Sequence, residues 1–138
     1  MTTYTDLFLD LDGFKKVNDT LDHEIGDMVL LYFSKKIKAS LRSHDLAARL
    51  GGDEFIVMLE DSNLDRTVSI VEEILKTLNK PIKIKQHEFH IGASVGISSY
   101  PGDGASIQEL LKQADIALYQ AKHMGKARYQ FYQAELNN

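Results

Sequence analysis

The chain has 138 residues, 43 % of them hydrophobic and 26 % charged, which describes one folded domain with a real core rather than a disordered chain. A net charge of -4 with no block of like charge excludes a general nucleic-acid surface, which needs clustered Lys and Arg. The absence of cysteine excludes disulfides, thiolate nucleophiles and cysteine-held metal, and no apolar run approaches the ~20 residues of a membrane span.

The opening Met1-Thr2-Thr3-Tyr4-Thr5-Asp6 has no basic stretch ahead of an apolar one, so no secretory signal is read there. With zero cysteine, a reducing, cytoplasmic setting fits. Leu7-Phe8-Leu9 reads as a buried strand ending in the polar loop of Asp10, Asp12 and Gly13. A short helical turn is expected through Phe14–Asn18. From Glu24 to Leu41 the apolar Ile25, Val29, Phe33, Ile37 and Leu41 fall four apart, with Met28 and Tyr32 widening the stripe, which predicts an amphipathic helix. Apolar segments at Leu46–Leu50 and Phe55–Leu59 flank Gly51-Gly52-Asp53 and predict a β-hairpin.

A second helix is expected from Leu64 to Leu78, with Val68, Val71, Ile74, Leu75 and Leu78 inward, stopped by Pro81. Ile82–Lys85 and Phe89–Ser98 suggest another hairpin around Gln86-His87-Glu88. The small residues Gly92-Ala93-Ser94-Val95-Gly96-Ile97 predict a neighbour packed close to the backbone. Ser106 with Glu109 reads as a capping box, opening a helix to about Met124 with Ile107, Leu110, Leu111, Ala114, Ala117, Leu118 and Ala121 buried. Arg128–Tyr132 is a candidate last strand. The order β-α-β-β-α-β-β-α-β predicts an α/β (α+β) sandwich, a ferredoxin-like palm with a mainly antiparallel central sheet flanked by helices.

Asp10 and Asp12 stand at a strand end, where acids either cap the next turn or ligate a hard cation such as Mg²⁺. Asp53 and Glu54 lie in the Gly-Gly turn, either as solvated turn acids or as a second half of that cation site. Lys15 and Lys16 follow the first acidic pair. Lys122 and Lys126 are four apart, which suggests one helical face; they either complement the helix dipole or meet phosphate.

Several segments, in order, resemble the GGDEF domain of bacterial diguanylate cyclases. They are Asp10-Leu11-Asp12-Gly13-Phe14-Lys15-Lys16-Val17-Asn18-Asp19, His23-Glu24-Ile25-Gly26-Asp27, Arg49-Leu50-Gly51-Gly52-Asp53-Glu54-Phe55, Ala93-Ser94-Val95-Gly96-Ile97, and Ala114-Asp115 through Ala121-Lys122 with Gly125-Lys126. The resemblance spans nearly the whole chain and implies one domain over residues 1–138 with a nucleotidyl-cyclase-like fold.

The resemblance also implies roles. Asp10, the carbonyl of Leu11, Asp53 and Glu54 would bind Mg²⁺ or Mn²⁺. Asn18 and Asp27 would read guanine, Phe14 would shape the pocket, and Gly51 and Gly52 would lie against the nucleotide. Lys15, Lys122 and Lys126 would hold phosphates. Two GTP molecules would condense to cyclic di-GMP across an at least transient homodimer, with Glu54 helping to deprotonate the attacking hydroxyl. Arg42-Ser43-His44-Asp45 matches the family's inhibitory product site, with Glu73 where a helping arginine often stands.

The chain departs from the pattern in places. Asp22, Lys126 and Ala127 replace a usual Gly, Arg and Asn. The helix and turn that usually precede the first strand are missing, which predicts an uncovered patch on one sheet face. Arg128-Tyr129-Gln130-Phe131-Tyr132 resembles domains that precede an EAL phosphodiesterase. A catalytically weak GTP-binding module regulating such a domain, and a cyclic di-GMP receptor acting through Arg42 and Asp45, are the alternative expectations. Fused sensory or EAL domains in a parent protein are expected partners.

Overall fold

The first apolar run becomes β1 (Tyr4–Asp12), the strand around which the rest is organised in a computed structural model describing residues 3–21 and 23–133. Met1, Thr2 and Asp22 lie outside the described residues. Side chains alternate across a strand. Leu7, Leu9 and Leu11 therefore enter the larger core, while Phe8 packs with Ala114 and Leu118 on the opposite face. Both faces are covered, so Thr5 through Leu11 are all buried, whatever their polarity.

Two helices follow, α1 (Phe14–Thr20) and α2 (His23–Ala39). Ile25, Val29, Phe33 and Ile37 are buried at the expected spacing. The helix stops two residues before Leu41, because Ser40 and Leu41 donate to Ile37 and Lys38 and tighten the last turn. Met28 is 38 % exposed and lies at the margin of the stripe.

The expected hairpin forms as β2 (Leu46–Gly51) and β3 (Glu54–Glu60). Gly51 and Gly52 take positive φ of 151° and 52°, and the register shifts between Arg49 and Gly51. α3 (Leu64–Leu78) is capped by Asn63, whose side chain accepts from the Arg66 N–H. Thr67 and Ile70 join its buried face, and Val68 is only half-buried.

The second predicted hairpin is corrected. β4 (Ile82–Ile84) pairs with β5 (His87–Phe89) as a separate two-stranded sheet around a turn at Lys85 and Gln86. β6 (Gly92–Tyr100) is a distinct strand paired with β1. His87 and Glu88 thus belong to a strand rather than to the turn.

α4 (Ile107–His123) begins with the expected capping pair: Ser106 Oγ accepts from the Glu109 N–H, and Glu109 reaches back to the N–H of Ala105. Ile107, expected inside, is 61 % exposed. It occupies the first turn, before the helix reaches the sheet at Leu110. Gly96 lets α4 come close, since a Cβ there would lie 2.0 Å from the Ala114 carbonyl oxygen. β7 (Tyr129–Phe131) adds in parallel to β6.

The main sheet has the order β2-β3-β1-β6-β7, antiparallel except at its β6–β7 edge. α2 and α3 supply the core on one face and α4 covers the other. This is the expected palm. At one end of the α4 face a groove of about 540 Å³, lined by Tyr4, Leu46, Met58, Tyr100, Ile107 and Leu110 among others, is left open. Among the described residues no helix is long and apolar enough to cross a membrane.

Candidate functional site

The register of β1 against β3 sets Asp10 opposite Glu54, and its register against β6 sets Asp10 opposite Ser94. The Leu11 N–H donates to the Asp53 carbonyl at 3.2 Å, which ties the Gly-Gly turn to the end of β1. Carboxylate oxygens of Asp10, Asp53 and Glu54 lie within 4.8 Å of one another. The Lys122 ammonium on α4 contacts this group directly through Asp10. Burial and the hydrogen bond and charge of Asp53 raise the pKa of Asp10, against the lowering pull of Lys122. Burial works to lower Lys122, but its hydrogen bond to Asp10 and the charges of Asp10, Asp53 and Asp12 raise it overall. The centre therefore carries an excess of negative charge. An all-oxygen donor set of that kind suits a hard divalent cation.

Neither Asp10 nor Asp12 caps the following helix: the cap of α1 is Gly13, with no side-chain bond. Asp12 instead accepts from Ser94 Oγ at 2.9 and 3.0 Å and from the Ala127 N–H at 3.0 Å. It fastens the segment after α4 to the strand end. The Asp10–Asp12 pair thus divides, with Asp10 alone facing the acidic cluster.

Phe14 is buried where β1 gives way to α1. Asn18 lies against Gly26: a Cβ at Gly26 would fall 2.3 Å from Asn18 Oδ1. Asp27 follows and is exposed. It lines a hollow of about 250 Å³ with Leu30, Leu31, Ser34 and Arg49. Arg49 Nη1 donates to the Gly52 carbonyl at 2.6 Å, so the hollow and the turn that carries Asp53 share a wall. Lys15 is exposed. Lys126 does not share a helical face with Lys122, which corrects the spacing argument: α4 ends at His123 and Lys126 has left-handed φ of 65° beyond it.

Arg42 and Asp45 lie between α2 and β2, away from the acidic cluster. Asp45 accepts from the Arg42 N–H at 2.9 Å, from the Arg42 guanidinium, from the Glu60 N–H at 3.3 Å and from Arg66 Nη2 at 2.9 Å. Burial pulls its pKa up, but the hydrogen bonds from Arg42, Arg66 and Glu60 win and bring it down to about 2. Glu73 has no part in these contacts.

Sequence reasoning gave no role to Gly26, Ser94 or Arg66. Gly26 makes room for Asn18, Ser94 holds Asp12, and Arg66 reaches Asp45. The small size of Gly26 and Ser94 inside quoted motifs was the available signal; for Arg66 there was none, since 21 residues separate it from Asp45.

Comparison with known proteins agrees with this geometry. The family described as "Diguanylate cyclase, GGDEF domain" matches residues 2–128. The chain is 43 % identical over 131 residues to the bifunctional diguanylate cyclase/cyclic di-GMP phosphodiesterase MucR of Pseudomonas aeruginosa, covering 95 % of this chain and 19 % of that protein. It thus spans under a fifth of that relative's length. Among solved structures, the GGDEF domain of YfiN from Pseudomonas aeruginosa superposes with a TM-score of 0.89 at 34 % identity, covering 95 % of this chain and 83 % of that one. The active GGEEF domain of a diguanylate cyclase from Vibrio cholerae gives a TM-score of 0.85 at 30 % identity over 95 % of this chain and 83 % of that one. With its acidic strand end, its Gly-Gly turn and its palm sheet matched over nearly all of its length, the chain belongs to the GGDEF family of diguanylate cyclase domains.

Proposed function

We propose that the chain condenses two GTP molecules into cyclic di-GMP with release of two pyrophosphates. The observation that carries this reading is the meeting of Asp10, Asp53 and Glu54 within 4.8 Å at the end of β1. Asp10, the Leu11 carbonyl, Asp53 and Glu54 would hold a Mg²⁺ or Mn²⁺ ion, which when bound neutralises charge on the phosphate and acidifies the attacking hydroxyl.

The remaining work falls to the chain's own groups. Asp27 accepts from the N1–H and amino donors of guanine and Asn18 adds a hydrogen bond, which discriminates against adenine. Phe14, Gly51 and Gly52 border the nucleotide. Lys15 and Lys126 reach the triphosphate, and Lys122 is drawn from Asp10 towards it. In each step a 3′-oxygen bonds to the α-phosphorus of the facing GTP, the bond to pyrophosphate breaks, and the hydroxyl proton passes to Glu54 and on to water. One domain holds one GTP, so two copies must face each other, at least transiently. Arg42 and Asp45 would take the product as an inhibitor.

The likeness to a bifunctional relative supports a second reading. In it the domain binds GTP, turns over little, and regulates an attached phosphodiesterase in a larger cytoplasmic protein. Turnover separates the two. The protein incubated with GTP and Mg²⁺ should release pyrophosphate and cyclic di-GMP in a ratio of about two to one, and Glu54→Gln should lower the rate by ~10²–10⁴-fold. GTP binding without product at high protein concentration would sink the cyclase reading and leave the regulatory one.

A further inference from the structure

The Asp45 carboxylate is saturated in the ligand-free fold. Its Oδ2 receives the Arg42 N–H, Arg42 Nε and Arg66 Nη2, and its Oδ1 receives Arg42 Nη2 and the Glu60 N–H. The side chain is 0 % exposed, and the arginine side chains that cover it, Arg42 and Arg66, are 38 % and 23 % exposed. A carboxylate offers about four lone-pair directions. None is left for the N–H edge of a guanine.

The donors on Asp45 are not equally fixed. The Arg42 and Glu60 N–H groups belong to the backbone of the turn and of β3. Arg42 Nη2 is also held by the Glu60 carbonyl. Arg66 comes from a different element, the first turn of α3, and only its Nη2 is engaged by Asp45. Its Nη1 is buried with no hydrogen-bond partner among the described residues. A buried donor left unpaired is unfavourable, and swinging outward would let water satisfy it. Arg66 is thus the donor on Asp45 that the fold can release most easily.

We propose that Arg66 is an internal competitor for Asp45. It occupies the place that a guanine of cyclic di-GMP must take, so it sets the product concentration at which the site fills. This rests on reading Arg42 and Asp45 as a product site. Binding exchanges one charge-assisted hydrogen bond from Arg66 for those of the guanine edge, and the released guanidinium returns to water. The affinity of the site is therefore lower than its Arg42–Asp45 pair alone would give.

The test is calorimetric titration with cyclic di-GMP of the wild type, Arg66→Ala, Arg66→Gln and Arg42→Ala at one ionic strength. Melting curves confirm that each variant is folded, and Arg66→Gln carries the test should Arg66→Ala not fold. Loss of the competing bond should tighten binding about tenfold in the Arg66 variants, while Arg42→Ala loses binding. Binding by the Arg66 variants but not by the wild type would support the proposal equally. Unchanged or weaker affinity in a folded Arg66 variant, with binding abolished by Arg42→Ala, overturns the competitor and leaves the product site standing. Binding by none of the four overturns the product site, and the competitor with it.

Discussion

Asp10 and Asp45 are buried to nearly the same degree, 8 % and 7 % exposed, yet their acidities move in opposite directions. Burial raises both. The partners decide the outcome. Asp10 shares its space with Asp53 and Glu54 and has Lys122 against them. Asp45 has two guanidinium groups and two backbone N–H donors and, among the described residues, no carboxylate among its hydrogen-bond partners. The first centre keeps a surplus of negative charge that a cation would relieve. The second is internally neutralised, and a ligand must displace something to enter. Equal burial thus yields one centre with crowded like charge and another whose charge is matched and joins the end of α2, β3 and α3.

The largest expected effect comes from the first centre. On the proposed cyclase reading, Asp10→Asn would remove a metal ligand and a charge, and GTP turnover should fall on the order of 10³-fold. Stability in EDTA should hold or rise slightly, because the native fold no longer crowds that carboxylate against Asp53. Turnover assays and urea unfolding of the same preparation check both halves. A variant that loses activity and several kcal/mol together would remove the contrast between the two centres.

The second centre should behave in the opposite way. Asp45→Ala leaves Arg42, Arg66 and the Glu60 N–H without their acceptor. Breaking a buried pair costs about 3–5 kcal/mol, and the partly exposed guanidiniums can rehydrate, so about 2–3 kcal/mol is expected. The pH dependence follows from the depressed pKa. The unfolded carboxyl binds a proton near pH 4 while the native one stays ionised, so this stabilisation is present above pH 4 and is lost as pH falls toward 2. Urea unfolding at neutral pH measures the loss, and a change within error of zero would mean that the network carries no net stability.

Much of the architecture was legible because local patterns agreed with the fold. The spacing of Ile25, Val29, Phe33 and Ile37, the Gly-Gly turn and the Ser106–Glu109 cap each have a local cause. The acidic site was legible once two strand ends were taken as neighbours. What escaped depended on tertiary contact. Phe89–Ser98 reads as continuous strand, because nothing before Gly92 marks the break at His90 and Ile91. Lys122 and Lys126 keep helical spacing on paper, but the helix ends between them. Arg66 meets Asp45 only because α3 begins where β3 ends. Leu7-Phe8-Leu9 reads as buried strand and is buried, but the burial of Thr5, Asp6 and Asp10 beside it depends on α4 covering the second face of β1.

Asp6 is the consequence of that cover, and it offers the smallest and most exposed test of the comparison. It lies on the same face of the same strand as Asp10, four residues earlier, and it is 0 % exposed. Its register partners are Met58 and Ser98, and Ser98 Oγ gives its hydrogen to the Leu110 carbonyl. Neither Asp6 oxygen has a hydrogen-bond partner among the described residues. Burial alone pushes its pKa up to about 6. Between pH 4 and 6 the native chain keeps a proton that the unfolded chain has released, so stability falls as pH rises through that window. The loss is complete above pH 6 and is on the order of 2–3 kcal/mol. Asp6→Asn removes the ionisation, so it should be more stable than wild type at pH 7.5 by up to that amount, with the gap closing by pH 4.5. Urea unfolding at both pH values checks this; parallel profiles would mean that Asp6 has found a donor or water. A closing gap would show that the strand tolerates an acid at Asp6 only when neutral. At Asp10, by contrast, the neighbouring Lys122 ammonium compensates the charge.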